Sequence, residues 1–386
     1  MGFTFGLFRL RVSTIKIYIN TEDKMQFIDL KKQYQLIKDD VLNEINQVLD
    51  SGQYIMGDKV PQLEQVLSVY TGSKHCIGVC DGTKALLIAL MALDIKAGDE
   101  VIVPAFTFIA TASMVALLGA VPVFVDVDAK TYNLDPNKLE AAISAKTKAI
   151  IPVSLYGQCA DYDAINAIAS KHNLAVIEDG AQSFGATYQG KQSCNLTTIA
   201  TTSFFPSKPL GCYGDGGAIF TNNDELAQKI RWIRVHGQDK RYHHAVLGLN
   251  GRLDTLQAGI LLAKMRVFAH EVKLREQIAA RYDELFKDSN CVTPFIAAGN
   301  TSVYAQYTLM VDDRDGLIKH LNNAKIPTAV HYPIPLHKQP IFTHNYHGQD
   351  LSVSEKTAAK VVSLPMHPYL DHAAQDRIVA AVREFI

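Results

Sequence analysis

Short apolar runs alternate with longer stretches of helical spacing between about residues 40 and 220. The runs are short enough to be strands, and they are apolar throughout, which is typical of strands buried on both faces. The predicted strands are 101–103, 121–125, 149–153, 174–178, 201–205 and 218–221, and the predicted helices between them include 84–93, 111–118 and 163–172. This order predicts an α/β fold in which a mostly parallel central sheet is flanked by helices.

The pattern changes near residue 254. Residues 254–286 mix charged and apolar positions at helical spacing, which predicts one or two long helices that connect two units. The chain continues with a predicted strand at 303–311, a helix at 316–324, a strand at 328–332, a helix at 354–361 and a final helix from residue 371. We therefore predict a large domain over residues 25–270 and a smaller C-terminal α+β domain over residues 271–386, a division that the chain length also favours.

Residues 1–24 do not fit this pattern. Arg9 and Arg11 interrupt their apolar stretch, so we expect no secretory signal and predict a disordered N-terminal extension. No run of about 20 apolar residues occurs and the net charge is −1, so we expect neither a membrane nor a nucleic-acid partner. The six cysteines lack the spacing of metal sites, so we expect no metal, and reduced thiols in a cytoplasmic protein.

A carboxylate follows one of the predicted strands, at the end where ligands bind in open α/β sheets. Asp179 comes directly after the apolar run 174–178, so its charge would be poorly hydrated unless a cation or a ligand meets it. Gln182 lies three residues further along and would face the same ligand. The alternative is a helix start, in which Asp179 is the N-cap and Gln182 completes a capping box.

A single lysine is enclosed by residues that restrict the backbone or allow close approach. Lys208 lies between Pro206 and Pro209, and the glycines that follow it are Gly211, Gly214, Gly216 and Gly217. In a confined site the pKa of a lysine falls, and its amine becomes a usable nucleophile. The alternative is a tight surface turn that carries a solvated lysine.

Two further segments also follow apolar runs. Gly82 and Thr83 precede a predicted helix that is apolar all round, and the free N–H groups at its start would attract a phosphate. The same pattern equally describes any capped, buried helix. Phe106 and Phe108 follow the strand at 101–103, where one of them could stack on an aromatic ligand. The alternative is that both phenylalanines belong to the core.

Together these groups match the requirements of one cofactor. Pyridoxal 5′-phosphate needs a phosphate cup, an aromatic face, an acid at its ring nitrogen and a lysine amine at its aldehyde. The chain offers them in the order Thr83, Phe108, Asp179 and Lys208. The sequence therefore predicts an enzyme that uses pyridoxal phosphate.

Eight ordered motifs of the chain resemble those of the DegT-type nucleotide-sugar aminotransferases. They are DGTKAL, PAFTFIATA, LYGQCAD, VIEDGAQSFGA, SFFPSKPLGCYGDGGA, RVHGQ, GLNGRLDTLQAGIL and VHYPIPLHKQP. The resemblance covers nearly the whole chain from about residue 25, and it implies the fold-type-I architecture of pyridoxal phosphate enzymes. Within the family, the chain most resembles the branch that acts on UDP-2-acetamido-2-deoxy-3-oxo-glucuronic acid.

The resemblance also implies a role for each matching residue. Lys208 would bind the cofactor aldehyde and shuttle a proton, while Asp179 would keep the ring nitrogen protonated. Gln182 would lie beside the ring and its phenolic oxygen, and Phe108 would stack on the ring. The implied phosphate ligands are Gly82, Thr83, Ser203 and, from a neighbouring subunit, Asn250. The family's active site is therefore expected to be shared across a homodimer.

The implied reaction moves an amino group from an amino acid, expected to be L-glutamate, to the keto sugar. Its product would be a diamino sugar for bacterial surface polysaccharide such as lipopolysaccharide O-antigen. The sugar carboxylate needs a cation, for which Arg252 is our candidate, although an ion pair with Asp254 is an equal alternative. His331 and Tyr332 are further candidates for substrate contact.

Three other functions stay open at this point. The nearest is amination of a nucleotide-linked 4-keto-6-deoxyhexose by the same chemistry. A pyridoxal-dependent lyase or dehydratase is a second, although the dehydratase branch carries histidine where this chain has Lys208. A regulator without catalysis is a third, but such a protein would not need Lys208, Asp179 and a phosphate turn together.

Overall fold

The computed structural model describes residues 25–345 and 348–386. The predicted extension over residues 1–24 lies outside the described residues. The helices are α1 (Leu30–Ser51), α2 (Lys59–Thr71), α3 (Gly82–Ala92), α4 (Ala110–Leu117), α5 (Tyr162–Lys171), α6 (Asp224–Arg234), α7 (Thr255–Phe286), α8 (Arg314–Asn323), α9 (Ser352–Lys360) and α10 (His372–Phe385). The strands are β1 (His75–Val79), β2 (Glu100–Pro104), β3 (Val121–Val125), β4 (Thr147–Ile150), β5 (Ala175–Asp179), β6 (Thr187–Tyr188), β7 (Lys191–Gln192), β8 (Ile199–Ser203), β9 (Gly217–Thr221), β10 (Gln238–Lys240), β11 (His243–His244), β12 (Tyr307–Met310) and β13 (Val361–Leu364).

Seven strands form the central sheet in the order β1-β9-β8-β5-β4-β2-β3. The pairs from β8 to β3 are parallel, whereas β9 runs antiparallel to both of its neighbours, β1 and β8. Parallel neighbours require crossover connections, which the helices supply. The predicted α/β fold with a mostly parallel sheet is therefore confirmed.

Both faces of this sheet are covered, because successive strand residues enter different cores. In β2, Val101 and Val103 pack into a cluster with α3 and α4, whereas Ile102 between them packs into a cluster with α5. All three side chains are fully buried. The apolar runs of the sequence are continuous because both faces of the sheet are buried.

A separate apolar cluster lies in the C-terminal part of the chain. It contains the end of α7, the helices α8 and α10, and the two-stranded antiparallel sheet of β12 and β13. The domain boundary predicted near residue 270 falls inside α7, which is one continuous helix, so the division into domains stays a prediction. No helix within residues 25–345 and 348–386 is long and apolar enough to cross a membrane.

Two predictions for the C-terminal elements are wrong. Residues 328–332 are not a strand: their ladder contact is a single bridge between Ala329 and Ser363. The helix predicted to end at Val361 ends at Lys360, and Val361–Leu364 is a strand. Pairing with β12 explains why the helix ends before Val361, because Val361 is the first residue of β13 and pairs with Met310.

Candidate active site

Asp179 is the last residue of β5 and lies almost completely buried. Its Oδ2 accepts a hydrogen bond from the Thr111 hydroxyl at 3.0 Å, and its Oδ1 accepts one from the Ala181 N–H at 3.2 Å. Burial raises the pKa of this carboxyl, while the two donors and the Lys208 charge lower it. The segment after Asp179 is a turn and not a helix, so the N-cap and capping-box alternative is wrong.

Lys208 lies on the tight loop between β8 and β9, where its N–H donates to the Phe205 carbonyl at 2.8 Å. Its side chain is half-buried. Burial lowers the pKa of the Lys208 ammonium, and the Asp179 charge acts in the opposite direction. The lysine and the carboxylate therefore interact electrostatically inside one site, which is what an amine nucleophile in a confined pocket requires.

Three chain segments meet at the N-terminus of α3. A Cβ atom at Gly82 would come within 2.6 Å of the Ser203 Cβ, and one at Gly217 would come within 2.7 Å of the Asp81 carbonyl carbon. Asp81 caps the helix by accepting from the Lys84 N–H at 2.6 Å. Only glycine permits these approaches, and they bring the Ser203 side chain against the first turn of a helix whose dipole attracts anions.

The two phenylalanines after β2 have different surroundings. Phe106 is 1% exposed and belongs to the core, whereas Phe108 is 50% exposed. The Phe108 ring lies 5.7 Å from the Tyr332 ring, and the Tyr332 hydroxyl accepts from Gln182 Nε2 at 3.2 Å. Gln182 Oε1 in turn accepts from the Tyr156 N–H at 2.8 Å. These residues form one wall of the same site.

His331 connects this wall to the C-terminal unit. Its Nδ1 lies 3.2 Å from the Ser363 hydroxyl of β13, and its carbonyl accepts a hydrogen bond from the Tyr156 hydroxyl. Burial, with a smaller contribution from the Lys208 charge, lowers the pKa of the His331 imidazole to about 4. The imidazole is therefore neutral at physiological pH.

Asn250 and Arg252 lie on the segment between β11 and α7. Asn250 is exposed, and within the described part of the chain it makes no hydrogen bond to Gly82, Thr83 or Ser203. Arg252 pairs through its backbone with Val79 at the end of β1. Its Nε is buried without a hydrogen-bond partner, and among residues 25–345 and 348–386 no ion pair joins it to Asp254.

The comparison with protein families matches residues 35–383 to the DegT/DnrJ/EryC1/StrS aminotransferase family. The chain belongs to this family. It is 60% identical over 93% of its length to UDP-2-acetamido-2-deoxy-3-oxo-D-glucuronate aminotransferase of Pseudomonas aeruginosa, of which it covers 99%. Among solved structures, a DegT/DnrJ/EryC1/StrS aminotransferase from Brucella abortus superimposes with a TM-score of 0.91 at 44% identity, over 94% of this chain and 99% of that one.

The cofactor of this aminotransferase is pyridoxal phosphate, and the protein has the fold-type-I architecture. NtdA from Bacillus subtilis, solved with its bound cofactor PMP, matches with a TM-score of 0.86 and 34% identity, over 95% of this chain and 86% of that one. The residues of the site fit such a group, because a Cβ at Gly82 or Gly217 would fill the cradle at the α3 N-terminus and because a buried acid lies within electrostatic reach of a lysine.

Two residues of this aminotransferase site were not predicted from the sequence. Thr111 holds Asp179, and Tyr156 contacts both Gln182 and His331. Both lie inside motifs that resemble the family, FTFIATA and LYGQCAD, so the motifs could have located them near the site. The residues that they contact are distant in sequence, so the motifs could not predict these contacts.

Proposed function

We propose that this family member transfers an amino group from L-glutamate to UDP-2-acetamido-2-deoxy-3-oxo-glucuronic acid. The observation that carries the proposal is the similarity to the Pseudomonas aeruginosa enzyme named for that substrate. The product would be a diamino sugar for a bacterial surface polysaccharide such as O-antigen, made in the cytoplasm. A 4-keto-6-deoxyhexose on a nucleotide is the substrate that the experiment below must exclude.

Bound pyridoxal phosphate supplies an electron-accepting ring and an aldehyde that carries the amino group between the two substrates. Gly82, Thr83 and Ser203 would hold its phosphate at the positive end of α3. Phe108 would stack on its ring, and Gln182 would lie beside the ring. These four side chains and one backbone turn would fix the group relative to Lys208, and such orientation lowers the reaction barrier.

Asp179 and Lys208 carry the proton chemistry. The ionised Asp179 would keep the ring nitrogen of the bound group protonated, because a buried anion is stabilised only by a cation or by hydrogen-bond donors. Burial lowers the pKa of Lys208, which favours its neutral amine, and Lys208 would hold the aldehyde of the bound group and move a proton at the substrate carbon. Both residues thus act most strongly where charge develops during the reaction.

Arg252 is the proposed partner of the sugar carboxylate. The missing hydrogen-bond partner at its buried Nε supports this assignment, since a guanidinium leaves a donor unpaired only at a cost. His331 and Tyr332 are proposed to line the substrate side, because Tyr332 contacts both Phe108 and Gln182.

The active site is proposed to be shared by two copies of the chain. Asn250 is exposed, and among residues 25–345 and 348–386 no hydrogen bond joins it to Gly82, Thr83 or Ser203. In a homodimer, Asn250 of one copy would reach the phosphate held by the other copy.

The test of this function is a product assay with purified protein. L-Glutamate and the UDP-linked 3-keto-uronate should give a sugar whose ketone has become an amine, with 2-oxoglutarate in equal amount, as mass spectrometry can show. Initial rates should give parallel double-reciprocal lines, as in a ping-pong scheme. The variant Lys208→Ala should form no product.

A neutral 4-keto-6-deoxyhexose nucleotide serves as the matched substrate. Arg252→Ala should lose far more activity on the keto-uronate than on this neutral sugar, because only the first has a carboxylate. Amination of the neutral sugar alone would reject the proposed substrate. Equal losses on both sugars would reject the role of Arg252.

A further inference from the structure

A buried ammonium lies beneath the loop that carries Lys208. Lys264 of α7 is 2% exposed, and its Nζ donates to the Gly211 carbonyl and lies 5.0 Å from the centre of the Tyr213 ring. No carboxylate of the described chain forms an ion pair with it. A buried charge without such a partner is costly, whereas an apolar side chain of the same length would not be.

A second side chain on the same face of α7 holds the same segment. Gln257 lies two helical turns before Lys264. Its Oε1 accepts from the Tyr213 N–H at 2.9 Å, and its Nε2 donates to the Tyr213 carbonyl at 3.3 Å. Gln257 and Lys264 therefore fix the backbone from Gly211 to Tyr213 with three hydrogen bonds.

The backbone from Gly211 to Tyr213 forms the C-terminal side of the loop that carries Lys208. The Cys212 N–H donates to the Phe204 carbonyl at 2.8 Å and closes the loop around Lys208. Inside it, a Cβ on Gly211 would come within 2.5 Å of the Pro206 carbonyl oxygen, so the loop has no spare room. A displacement of Gly211 must therefore move the residues on both sides of Lys208.

We propose that Lys264, assisted by Gln257, is a positioning residue that holds the Lys208 loop in its reactive place beside Asp179. The proposal rests on the proposed role of Lys208. Burial lowers the pKa of Lys264 to about 8, while Glu271 and Cys212 act to raise it and Arg275 acts to lower it. At neutral pH the ammonium is therefore charged, and it holds the Gly211 carbonyl with a charge-assisted hydrogen bond.

The test compares Lys264→Met with Lys264→Gln. Methionine keeps the length but removes the donor, whereas glutamine restores a neutral donor. In Lys264→Met we expect kcat of the glutamate half-reaction to fall by about 100-fold with little change in KM, as for a misplacement of roughly 1 Å. Lys264→Gln should recover most of that loss. Lys273→Met is the matched control, because Lys273 is an exposed lysine of the same helix.

Amide hydrogen exchange of the cofactor-free protein gives a readout that does not depend on activity. Residues 204–215 should exchange faster in Lys264→Met, while the central strands keep their wild-type rates. Gln257→Met should show the same local effect, and it replaces Lys264→Met if that variant does not fold. The proposal would be overturned if Lys264→Met kept both the wild-type kcat and the wild-type exchange rates of residues 204–215. It would also be overturned if exchange became faster throughout the molecule while kcat per folded protein stayed unchanged. If another lysine bound the cofactor, Lys208→Ala would keep the glutamate half-reaction, whereas the proposed role of Lys208 predicts its loss, and this separates the two failures.

Discussion

Three groups favour the ionised form of the Asp179 carboxyl: the Thr111 hydroxyl, the Ala181 N–H and the Lys208 charge. Burial opposes all three by raising the pKa. The role proposed for Asp179 at the ring nitrogen of the cofactor requires the ionised carboxylate. Under that proposal, each donor contributes directly to the pH range in which the enzyme works.

Replacing Thr111 by valine keeps the shape of the side chain and removes the hydroxyl. Because that hydroxyl donates to the ionised carboxylate, its loss raises the Asp179 pKa. The acidic limb of the kcat/KM profile should move to higher pH by about 1 to 2 units, the worth of one hydrogen bond to a charged group. Thr111→Ser should restore the limb. Thr357→Val is the control, since Thr357 is also buried but its hydroxyl has no hydrogen-bond partner among residues 25–345 and 348–386. An unmoved acidic limb in Thr111→Val would contradict the proposed role of Thr111.

Local sequence was enough to locate Asp179 and Lys208, because each lies at a strand end or between prolines, features visible within a few residues. The role of Thr111 was not visible in this way. It lies 68 residues before Asp179, and the start of α4 brings the two together. Contacts between residues that are distant in sequence depend on tertiary packing. The spacing of apolar residues along the chain does not specify that packing.

Among the elements, the central sheet could be predicted from the sequence, whereas the conformation of residues 328–332 could not. The strands of the sheet are continuous apolar runs because both faces are buried. The residues before Tyr332 have the composition of a strand. However, the His331 carbonyl accepts a hydrogen bond from the Tyr156 hydroxyl, and the pairing of this segment is limited to the single bridge between Ala329 and Ser363. Tertiary contacts overrode strand propensity there, as they commonly do.

At the scale of the whole molecule, the proposed site draws on several distant parts of the chain. The strand ends of the central sheet supply Asp179 and Ser203, and the C-terminal unit supplies His331 and Tyr332 through the contact with β13. Asn250 remains outside this arrangement on the surface of its own chain. The proposed homodimer accounts for that position.

Mixed dimers test the shared site. Lys208→Ala and Asn250→Ala should each be nearly inactive alone, but a mixture allowed to exchange subunits should recover about a quarter of wild-type activity, because half of the dimers then contain one intact site. Recovery requires Asn250 to act across the interface. If Asn250 acts within its own chain, no mixed dimer contains an intact site, and the absence of recovery would reject the shared site.

The central claim is that Lys208 is the lysine that binds the cofactor aldehyde. Protein saturated with pyridoxal phosphate is reduced with borohydride, digested, and analysed by mass spectrometry. We predict a pyridoxyl-phosphate mass increase on the peptide that contains Lys208. An adduct on another lysine, such as the buried Lys264 whose pKa is also lowered, or no adduct in fully loaded protein, would contradict it.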